Sequence, residues 1–343
     1  MEIKLAIHDR PHSFSDRWIE YCRECNISFQ VVDCLRNDVF AQLSGMHGLL
    51  WHWAQHGNGD PLAAKAIIRT SEILGIKTFP NLNTCWHFDD KISQKYLLEA
   101  IGAPLVPTFV FYDMNEAIEW TAKAQFPLVF KLSKGAGSVN VQLVENVDKA
   151  RMLIKKAFGT GIKQSGGYFT DTGKKIKQLE KRKDYLGAIQ RFPAAFRAAR
   201  QRQKQYNVER NYVYFQSFVP GNTFDTRITV IGNRAFAFTR EVRKDDFRAS
   251  GSGLIRYELE KINLECVKIA FNVSRRIETQ SLAFDFVMDA CGDPRIVEIS
   301  YGFQAEPVRN CSGYWDDNLN WHEGHVWPQD AILEDFLNQL RSV

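Results

Sequence analysis

The sequence predicts an α/β fold with more than one lobe, and three observations support this prediction. The N-terminal part alternates short apolar strands with helices, which is the pattern of a parallel sheet covered by helices. The chain has 343 residues, more than one hydrophobic core usually holds, so two or three lobes are expected. Its 45% hydrophobic and 24% charged content is ordinary for a soluble globular protein.

The first predicted lobe contains three strands and two helices. The strands are predicted over Ile3–His8, Phe29–Asp33 and Gly48–Trp53, and the helices over Ser15–Glu24 and Pro61–Leu74. The loop His52–Asp60 follows the carboxyl end of a predicted strand, where such sheets usually bind ligands. His52 and His56 have a metal-like spacing, but no further ligand accompanies them. A polar substrate loop, or plain surface histidines, is therefore favoured over a metal site.

The cysteines and the charge balance exclude several classes of protein. Seven cysteines in a large chain without an apolar signal segment indicate reduced thiols, and a cytoplasmic location is expected. Cys22 and Cys25 form a CxxC motif, but their surroundings favour a helix, whereas a redox pair usually follows a strand. No apolar run approaches membrane-spanning length. The net charge of +4 is too small to indicate a nucleic-acid partner.

The middle of the chain contains a glycine-rich turn between two predicted strands. Strands are predicted over 108–112, 128–132 and 139–144, and helices over 92–101, 115–124 and 147–158. The turn Ser133–Ser138 reads SKGAGS, with Lys131 on the preceding strand and Lys134 inside the turn. Glycines let backbone N–H groups approach a phosphate, and lysines supply positive charge. It is not a P-loop, because a strand follows it; an ordinary glycine-containing hairpin is the alternative.

The segment Gly161–Arg210 is strongly basic. Thirteen lysine and arginine residues against four aspartate and glutamate residues give it a net charge of +9. Much of it is helix-prone, and Ala194–Gln205 has little apolar face. A solvated helical insertion is the plain interpretation. The alternative is a patch that attracts an acidic glycan, a nucleotide-sugar or an anionic membrane surface.

Two carboxylates interrupt apolar strands late in the chain. Strands are predicted over 211–219, 225–232, 235–242, 282–288 and 295–300, helices over 262–276 and 331–340, and an aromatic segment over 314–327. Asp285 and Glu298 lie on the two strands of the last hairpin. Burying a carboxylate costs free energy unless a positive charge compensates it. Carboxylate oxygens are also ligands for divalent metals. These residues alone do not distinguish a metal site from two charges at the rim or from a salt bridge to arginine.

Five motifs occur in the order found in the ATP-grasp superfamily, and the chain resembles its branch of glutamate ligases that modify peptide ends. Over roughly 90–302 they are Asp90-Lys91 with GAPLVPT, Lys131 with KGAGS, the hinge strand FQSFV, FDTRITVIG leading to Arg240 and DFR, and FDFVMD with VEIS. The resemblance implies an α/β ATP-grasp fold, with two α+β lobes clasping ATP, preceded by a Rossmann-like pre-ATP-grasp domain.

The resemblance also implies domain boundaries. The pre-ATP-grasp domain is expected at 1–88, the ATP-grasp domain at 89–310, and an aromatic-rich segment and helix at 311–343. Within the ATP-grasp domain, a central lobe at about 108–215 carries the basic insertion 161–210, and a C-terminal lobe begins at 216.

The resemblance assigns nucleotide-binding roles residue by residue. Adenine is expected to contact the hinge backbone at Gln216, Ser217, Phe218 and Val219. Asp225 is expected to hold the ribose, and Lys91 and Lys131 match phosphate-binding lysines. The lid over the phosphates is expected to be Lys134, Gly135, Ala136, Gly137 and Ser138. Members of the family often have glutamate at the position of Ser217. The side-chain contact at this position therefore differs in this chain.

The same resemblance implies the metal ligands and catalytic arginines. Asp285, Glu298 and Ser300 are expected to bind two Mg²⁺ ions, with Ser300 replacing the family's common asparagine. Arg240 is expected to stabilise the oxyanion and the transferred phosphate, and Arg248 to hold the substrate carboxylate. The alternative for both arginines is a surface pairing with Glu241, Asp245 or Asp246.

The implied activity is ATP-dependent joining of a carboxylate to an amine through an acyl phosphate, with release of ADP and phosphate. A sugar acid or cell-surface glycan precursor is one candidate acid, and a peptide or amino-acid carboxylate is its competitor. The alternatives are a regulatory ATP-binding protein without chemistry, or a carboxylate kinase. The sequence leaves the oligomeric state open, and a homodimer would be unsurprising.

Overall fold

The computed structural model describes residues 3–55, 59–135, 140–163, 208–243 and 253–342. The chain divides into two compact units. The first unit comprises Met1–Asp89, Tyr96–Leu105 and Gly221–Val343, and the second comprises Asp90–Lys95 and Val106–Pro220. Within the described ranges, no helix combines the length and the apolar composition that crossing a membrane requires.

The first unit begins with a parallel sheet, as the alternation of strands and helices predicts. Its strands are β1 (Lys4–His8), β2 (Ser28–Val32), β3 (Gly48–Leu50) and β4 (Lys77–Phe79), in the order β2-β1-β3-β4. The helices are α1 (Phe14–Glu24), α2 (Val39–Gln42), α3 (Asp60–Ile73) and α4 (Leu82–Cys85). Strand β4 was not predicted from the sequence.

The second unit is built on an antiparallel sheet packed against two helices. It takes up the start of α5 (Lys91–Ala100) and contains β5 (Thr108–Phe111), α6 (Met114–Trp120), β6 (Leu128–Lys131), β7 (Gln142–Val144) and α7 (Val147–Phe158). The short pair β8 (Ile162–Lys163) and β9 (Val208–Glu209) precedes β10 (Val213–Ser217). The sheet order is β5-β10-β6-β7, and one face, with Phe130 and Phe215, joins the helices in a hydrophobic core.

The rest of the first unit is a larger antiparallel sheet. Its strands are β11 (Phe224–Ile231), β12 (Arg234–Glu241), β13 (Ile255–Arg256), β14 (Ser281–Met288), β15 (Pro294–Ser300), β16 (Gly313–Trp315) and β17 (Trp321–Glu323). The order is β15-β14-β11-β12-β16-β17, and β13 also pairs with β12. The helices are α8 (Leu264–Ile277), α9 (Ala305–Arg309) and α10 (Pro328–Arg341).

Helix α8 covers the apolar face of this sheet. Its buried residues, such as Val267 and Phe271, share a core with Ile228, Phe284 and Phe286 on the strands. Because side chains alternate along a strand, the other residues of these strands lie on the opposite face. That second face carries the polar groups described below.

Helix α10 packs on α1 within the first unit. Trp18 is fully buried, and its indole donates to the Gln329 carbonyl at 3.0 Å. Arg17 makes two hydrogen bonds of 2.8 Å to the Asp330 carboxylate. Trp315, in the aromatic segment, is buried on β16 and pairs with Ala235 of β12.

Candidate active site

Lys91 and the start of the glycine-rich turn lie together in the second unit. The Lys91 amide donates to the Ser133 carbonyl at 3.0 Å, and Lys91 Nζ donates to the Gly135 carbonyl at 2.7 Å. Asp90 Oδ1 accepts from the Ser93 amide at 3.1 Å at the start of α5 and from the Ser133 hydroxyl at 2.9 Å. Two of the predicted phosphate-binding elements are therefore held against each other by short hydrogen bonds.

Lys131 lies on β6 and contacts the neighbouring strand β10. Its Nζ donates to Gln216 Oε1 at 2.6 Å, and Gln216 Nε2 donates to the Thr108 hydroxyl at 3.1 Å. All three side chains are buried. The Gln216 side chain therefore binds a predicted phosphate lysine, in addition to the backbone role in adenine binding that the resemblance implies.

The remaining predicted nucleotide residues are distributed as follows. Ser217 ends β10, and its amide donates to the Pro107 carbonyl at 2.8 Å, while Phe218 and Val219 follow the strand. Lys134 is exposed. The predicted residues Ala136, Gly137, Ser138 and Arg248 lie outside the described residues, as does most of the basic insertion.

A β-bulge in the first unit brings the two predicted metal carboxylates to one face. Near the turn of the hairpin, Phe286 pairs with Ile296, but Asp285 pairs with Glu298, so Val297 is the extra residue. A regular ladder would pair Asp285 with Val297 and leave Glu298 on the opposite face. Because of the bulge, the candidate ligands of both strands share one face. These ligands are Asp285, Glu298 and Ser300.

Two arginines and two aspartates form a buried ionic network on the same face. Arg227 binds both oxygens of Asp285, with Nε to Oδ1 at 2.7 Å and Nη2 to Oδ2 at 2.8 Å. Arg240 binds both oxygens of Asp225, at 2.8 and 2.5 Å, and its Nη2 also lies 2.8 Å from Asp285 Oδ2. This arrangement follows from strand register, because Asp225 pairs with Arg240 and Arg227 pairs with Asp285.

The network shifts the pKa values of its members in different directions. Burial alone raises the pKa of Asp285, but the charges and hydrogen bonds of Arg227 and Arg240 outweigh it and hold that pKa below its ordinary value. Burial and the nearby Asp285 charge raise the pKa of Asp225 despite its bond to Arg240. Burial lowers the pKa of Arg240, but the charges and hydrogen bonds of Asp285 and Asp225 outweigh this effect. The pKa of Arg240 therefore lies above its ordinary value.

The donor set on this face suits magnesium, which prefers oxygen ligands. Asp285 Oδ2 accepts from both arginines, whereas from the described residues Oδ1 accepts one hydrogen bond, from Arg227, which leaves one lone pair on Oδ1. Glu298 and Ser300 are half-exposed beside it, and the Ser300 oxygen accepts from the Gly302 amide at 3.2 Å. Among the described residues no three His, Cys, Asp or Glu side chains gather as a metal site. A metal here would therefore use two carboxylates and a hydroxyl.

His52 packs against aromatic side chains and is not a plain surface histidine. His52 stacks on Phe14 with ring centroids 3.9 Å apart, and burial together with the Arg10 charge lowers its pKa to about 3. The Arg10 guanidinium donates to the His52 carbonyl at 2.7 Å. The apolar neighbours, Phe14, Trp18 and Tyr301, come from distant parts of the sequence, so nothing near His52 indicated its burial. His56 lies outside the described residues.

Several residues of the candidate site were not predicted. Arg227 lies two residues after Asp225, and this spacing on a strand places both on one face, so the signal was present in the sequence. Glu209 and Tyr212 both accept the Ser133 amide, at 3.1 and 2.7 Å, and the Tyr212 hydroxyl also donates to Glu209. Their contacts span more than seventy residues, and no local pattern indicates them.

The chain has the ATP-grasp fold, as the sequence resemblance predicts. The Bacillus anthracis D-alanine–D-alanine ligase complexed with ATP has a TM-score of 0.58 at 12% identity, covering 100% of this chain and 99% of that chain. D-cycloserine synthetase DcsG has a TM-score of 0.56 at 14% identity, covering 98% and 99%. The ATP-grasp ligase PsnB complexed with a minimal precursor has a TM-score of 0.55 at 13% identity, covering 98% and 99%.

The comparisons of sequence are weaker. No family model matches the chain. The biotin carboxylase of Halalkalibacterium halodurans is 30% identical over 83 residues, which is 24% of this chain. The match spans only 18% of the length of that relative.

Proposed function

We propose that this protein is an ATP-dependent carboxylate–amine ligase that forms an acyl phosphate and releases ADP and phosphate. The observation that carries the proposal is the polar sheet face of the first unit, within a protein of ATP-grasp fold. There a bulged hairpin aligns Asp285 with Glu298, beside the guanidiniums of Arg227 and Arg240. Oxygen donors next to fixed positive charges suit a phosphoryl-transfer centre.

The second unit would bind the phosphates of the nucleotide. Lys91 and Lys131 each donate to a neutral oxygen, the Gly135 carbonyl and the Gln216 amide, at 2.7 and 2.6 Å. Lysine ammonium groups are suited to bind an anionic phosphate. Lys134 and the lid residues Gly135–Ser138 would close over the phosphates, and the hinge Gln216–Val219 would hold adenine.

The chemistry would proceed in two transfers. The substrate carboxylate attacks the γ-phosphorus of ATP, the bond to ADP breaks, and an acyl phosphate forms. The amine then attacks the acyl carbon, a tetrahedral oxyanion forms, and inorganic phosphate leaves as the amide is made. Magnesium, as two ions held by Asp285, Glu298 and Ser300, would neutralise phosphate oxygens. Arg248 would hold the substrate carboxylate.

Arg240 is the residue that we assign to oxyanion stabilisation. Its Nε and Nη2 groups bind Asp225 and Asp285, and among the described residues Nη1 forms no hydrogen bond. The two carboxylates would therefore fix the guanidinium, while Nη1 donates to the oxyanion or to the transferred phosphate. A donor fixed before the reaction needs no reorganisation when the charge develops. Asp225, which the resemblance assigns to the ribose, has both oxygens bound to Arg240.

The acid is proposed to be a sugar acid or glycan precursor, with a peptide or amino-acid carboxylate as the competitor. Half-buried aromatic side chains in the first unit support a sugar, because aromatic faces suit pyranose rings. Tyr314 stacks on His322 with centroids 5.0 Å apart, and the Arg309 guanidinium lies 5.5 Å from the Trp327 ring centroid.

Trapping with hydroxylamine tests the proposal. The protein is incubated with Mg·ATP, hydroxylamine and a pool of uronic acids, amino acids and peptides. We expect a hydroxamate together with ADP, and division of the pool identifies the acid. ATP binding without a hydroxamate from any acid would favour a regulatory protein. Acyl phosphate that accumulates and is not consumed by any amine would favour a carboxylate kinase.

A further inference from the structure

Arg10 and His52 lie together at the carboxyl edge of the parallel sheet in the first unit. Arg10 follows β1 by two residues, His52 follows β3 by two residues, and β1 pairs with β3. In the order β2-β1-β3-β4, the chain passes from β1 to β2 on one side and then to β3 on the other side of β1. Open parallel sheets bind ligands outside the carboxyl ends of their strands at such a reversal.

Contacts around His52 show which of its ring nitrogens carries the proton. Arg10 Nη2 donates to the His52 carbonyl at 2.7 Å and lies 3.5 Å from His52 Nδ1. The Phe14 amide donates to the same Nδ1 at 3.4 Å. Both neighbours of Nδ1 are donors, so Nδ1 is the acceptor and the proton of the neutral ring lies on Nε2. The lowered pKa of His52, about 3, agrees with a neutral ring.

Each of these two side chains has a buried N–H without an acceptor. Arg10 Nε and His52 Nε2 are both shielded from solvent, and among the described residues neither has a hydrogen-bond partner. Buried donors usually find an acceptor, so two such groups on residues in contact require an explanation. Because both groups are donors, a ligand that satisfies them must supply acceptor atoms.

The positive charge of Arg10 indicates that this ligand is an anion. A guanidinium stays ionised, and in the part of the chain that the structure describes Arg10 forms no ion pair. The neighbouring carboxylates are engaged elsewhere. Asp60 accepts from the Ala54 amide at 3.0 Å, and Asp9 accepts from the Ser15 hydroxyl at 3.5 Å. Arg10 is half-buried at the edge of the sheet, so an anion can approach its guanidinium from solvent.

The same edge is connected to the proposed reaction centre within the first unit. Tyr301 directly follows the proposed metal ligand Ser300, and its ring lies edge-on to His52 with centroids 6.1 Å apart. Phe303, two residues further on, packs edge-on against Phe14 at 5.6 Å. An anion bound at Arg10 and His52 would therefore lie beside the segment that carries Ser300.

We propose that Arg10 and His52 bind a carboxylate group of one of the two substrates. The inference rests on the proposed function in taking the ligand to be a substrate. It goes beyond that function by adding a second anion site to the one assigned to Arg248. Two sources have this chemistry: a carboxylate on the acid that is activated, and the carboxylate of an amine substrate that is itself an amino acid or a peptide.

The test is urea unfolding of the full-length protein without ATP, in the presence of four carboxylates. Glucuronate and succinate carry no amine, whereas alanine and glycylglycine carry one, so the pair that stabilises the protein identifies the source. We expect at least one of them to raise the urea midpoint of the wild-type protein, because a ligand that binds the folded state stabilises it.

Two variants assign that stabilisation to the site. Arg10→Gln removes the guanidinium, and His52→Phe removes the Nε2 donor while keeping a ring against Phe14. In each, the ligand concentration that gives half of the shift should rise about tenfold or more, as expected for the loss of a hydrogen bond to a charged group. Arg36→Gln is the charge-matched control, because Arg36 is exposed and pairs with Asp38.

Three results would overturn the inference: no stabilisation of the wild-type protein by any of the four carboxylates, stabilisation by inorganic phosphate alone, or responses of both variants equal to that of Arg36→Gln. Arg10→Lys replaces Arg10→Gln if the latter does not fold; it keeps the charge, removes the Nε donor, and should weaken binding about threefold or more. The test needs no ATP. Arg10-dependent binding without any hydroxamate would therefore count against the proposed function and not against the anion site.

Discussion

Replacing Arg227 with leucine tests how strongly the free energy of unfolding depends on the guanidinium partners of the buried Asp285 carboxylate. Of the three contacts that described side chains make to this carboxylate, Arg227 makes two, at 2.7 and 2.8 Å, and Arg240 makes the third at 2.8 Å. Removing one partner of a buried ion pair costs about 3–5 kcal/mol, because the other charge is left uncompensated. Since Arg240 remains, we expect the lower end, a loss of about 3 kcal/mol in unfolding free energy at pH 7.

The loss should depend on pH with a defined sign. In the wild-type protein the arginines hold the pKa of Asp285 below its ordinary value, despite the opposing effect of burial. Its ionised form therefore stabilises the fold above the unfolded pKa of about 4, and this stability is lost as the pH falls toward the lower folded pKa. Arg227→Leu raises the folded pKa of Asp285. The difference between the two proteins should therefore shrink as the pH falls below about 4.

Urea unfolding between pH 7 and pH 3.5 measures both effects. Arg256→Leu is the control, because the Arg256–Glu241 pair lies on the same sheet but is largely exposed, and its loss should change stability little. Adding Asp285→Asn to Arg227→Leu removes the uncompensated charge and should recover part of the loss. A loss at pH 7 no larger than that of the control, or one independent of pH, would refute the reasoning.

Three further predictions concern activity and thiol chemistry. Arg240→Ala should lower turnover by about 10²–10³-fold at equal folded fraction, and unchanged turnover would remove Arg240 from the mechanism. Asp285→Asn and Glu298→Gln should each abolish Mg²⁺-dependent hydroxamate formation while the circular dichroism spectrum stays native; activity at ordinary Mg²⁺ would contradict the metal assignment. A thiol reagent should modify only Cys25 and Cys291 rapidly in the native protein, because the other five thiols are buried. Rapid reaction of a third thiol would contradict the burial.

The sequence predicts the fold well because periodicity and turn residues are local signals. The last hairpin was expected over 282–288 and 295–300 and is found at Ser281–Met288 and Pro294–Ser300. Helix α8, expected over 262–276, is found at Leu264–Ile277. The ATP-grasp fold followed from the order of five motifs, each of which is weak alone.

The details of the site depend on features that local patterns do not show. The alignment of Asp285 with Glu298 depends on one extra residue, Val297, and a regular hairpin of the same sequence would separate the two carboxylates. The pairing of Arg240 with Asp285 depends on β14 being the neighbour of β11 in the sheet. Such neighbour relations join residues far apart in sequence, so periodicity cannot supply them.

The packing of α10 on α1 has a consequence for synthesis of the chain. The bond between Arg17 and Asp330 spans 313 residues, so α1 emerges from the ribosome long before its partner helix exists. At about 5–20 residues per second, the delay is about 15–60 s. The second unit, whose residues end at Pro220, can fold within that interval. The apolar side of α1, with Trp18, meanwhile lacks the helix that covers it, so nascent chains should bind chaperones through α1.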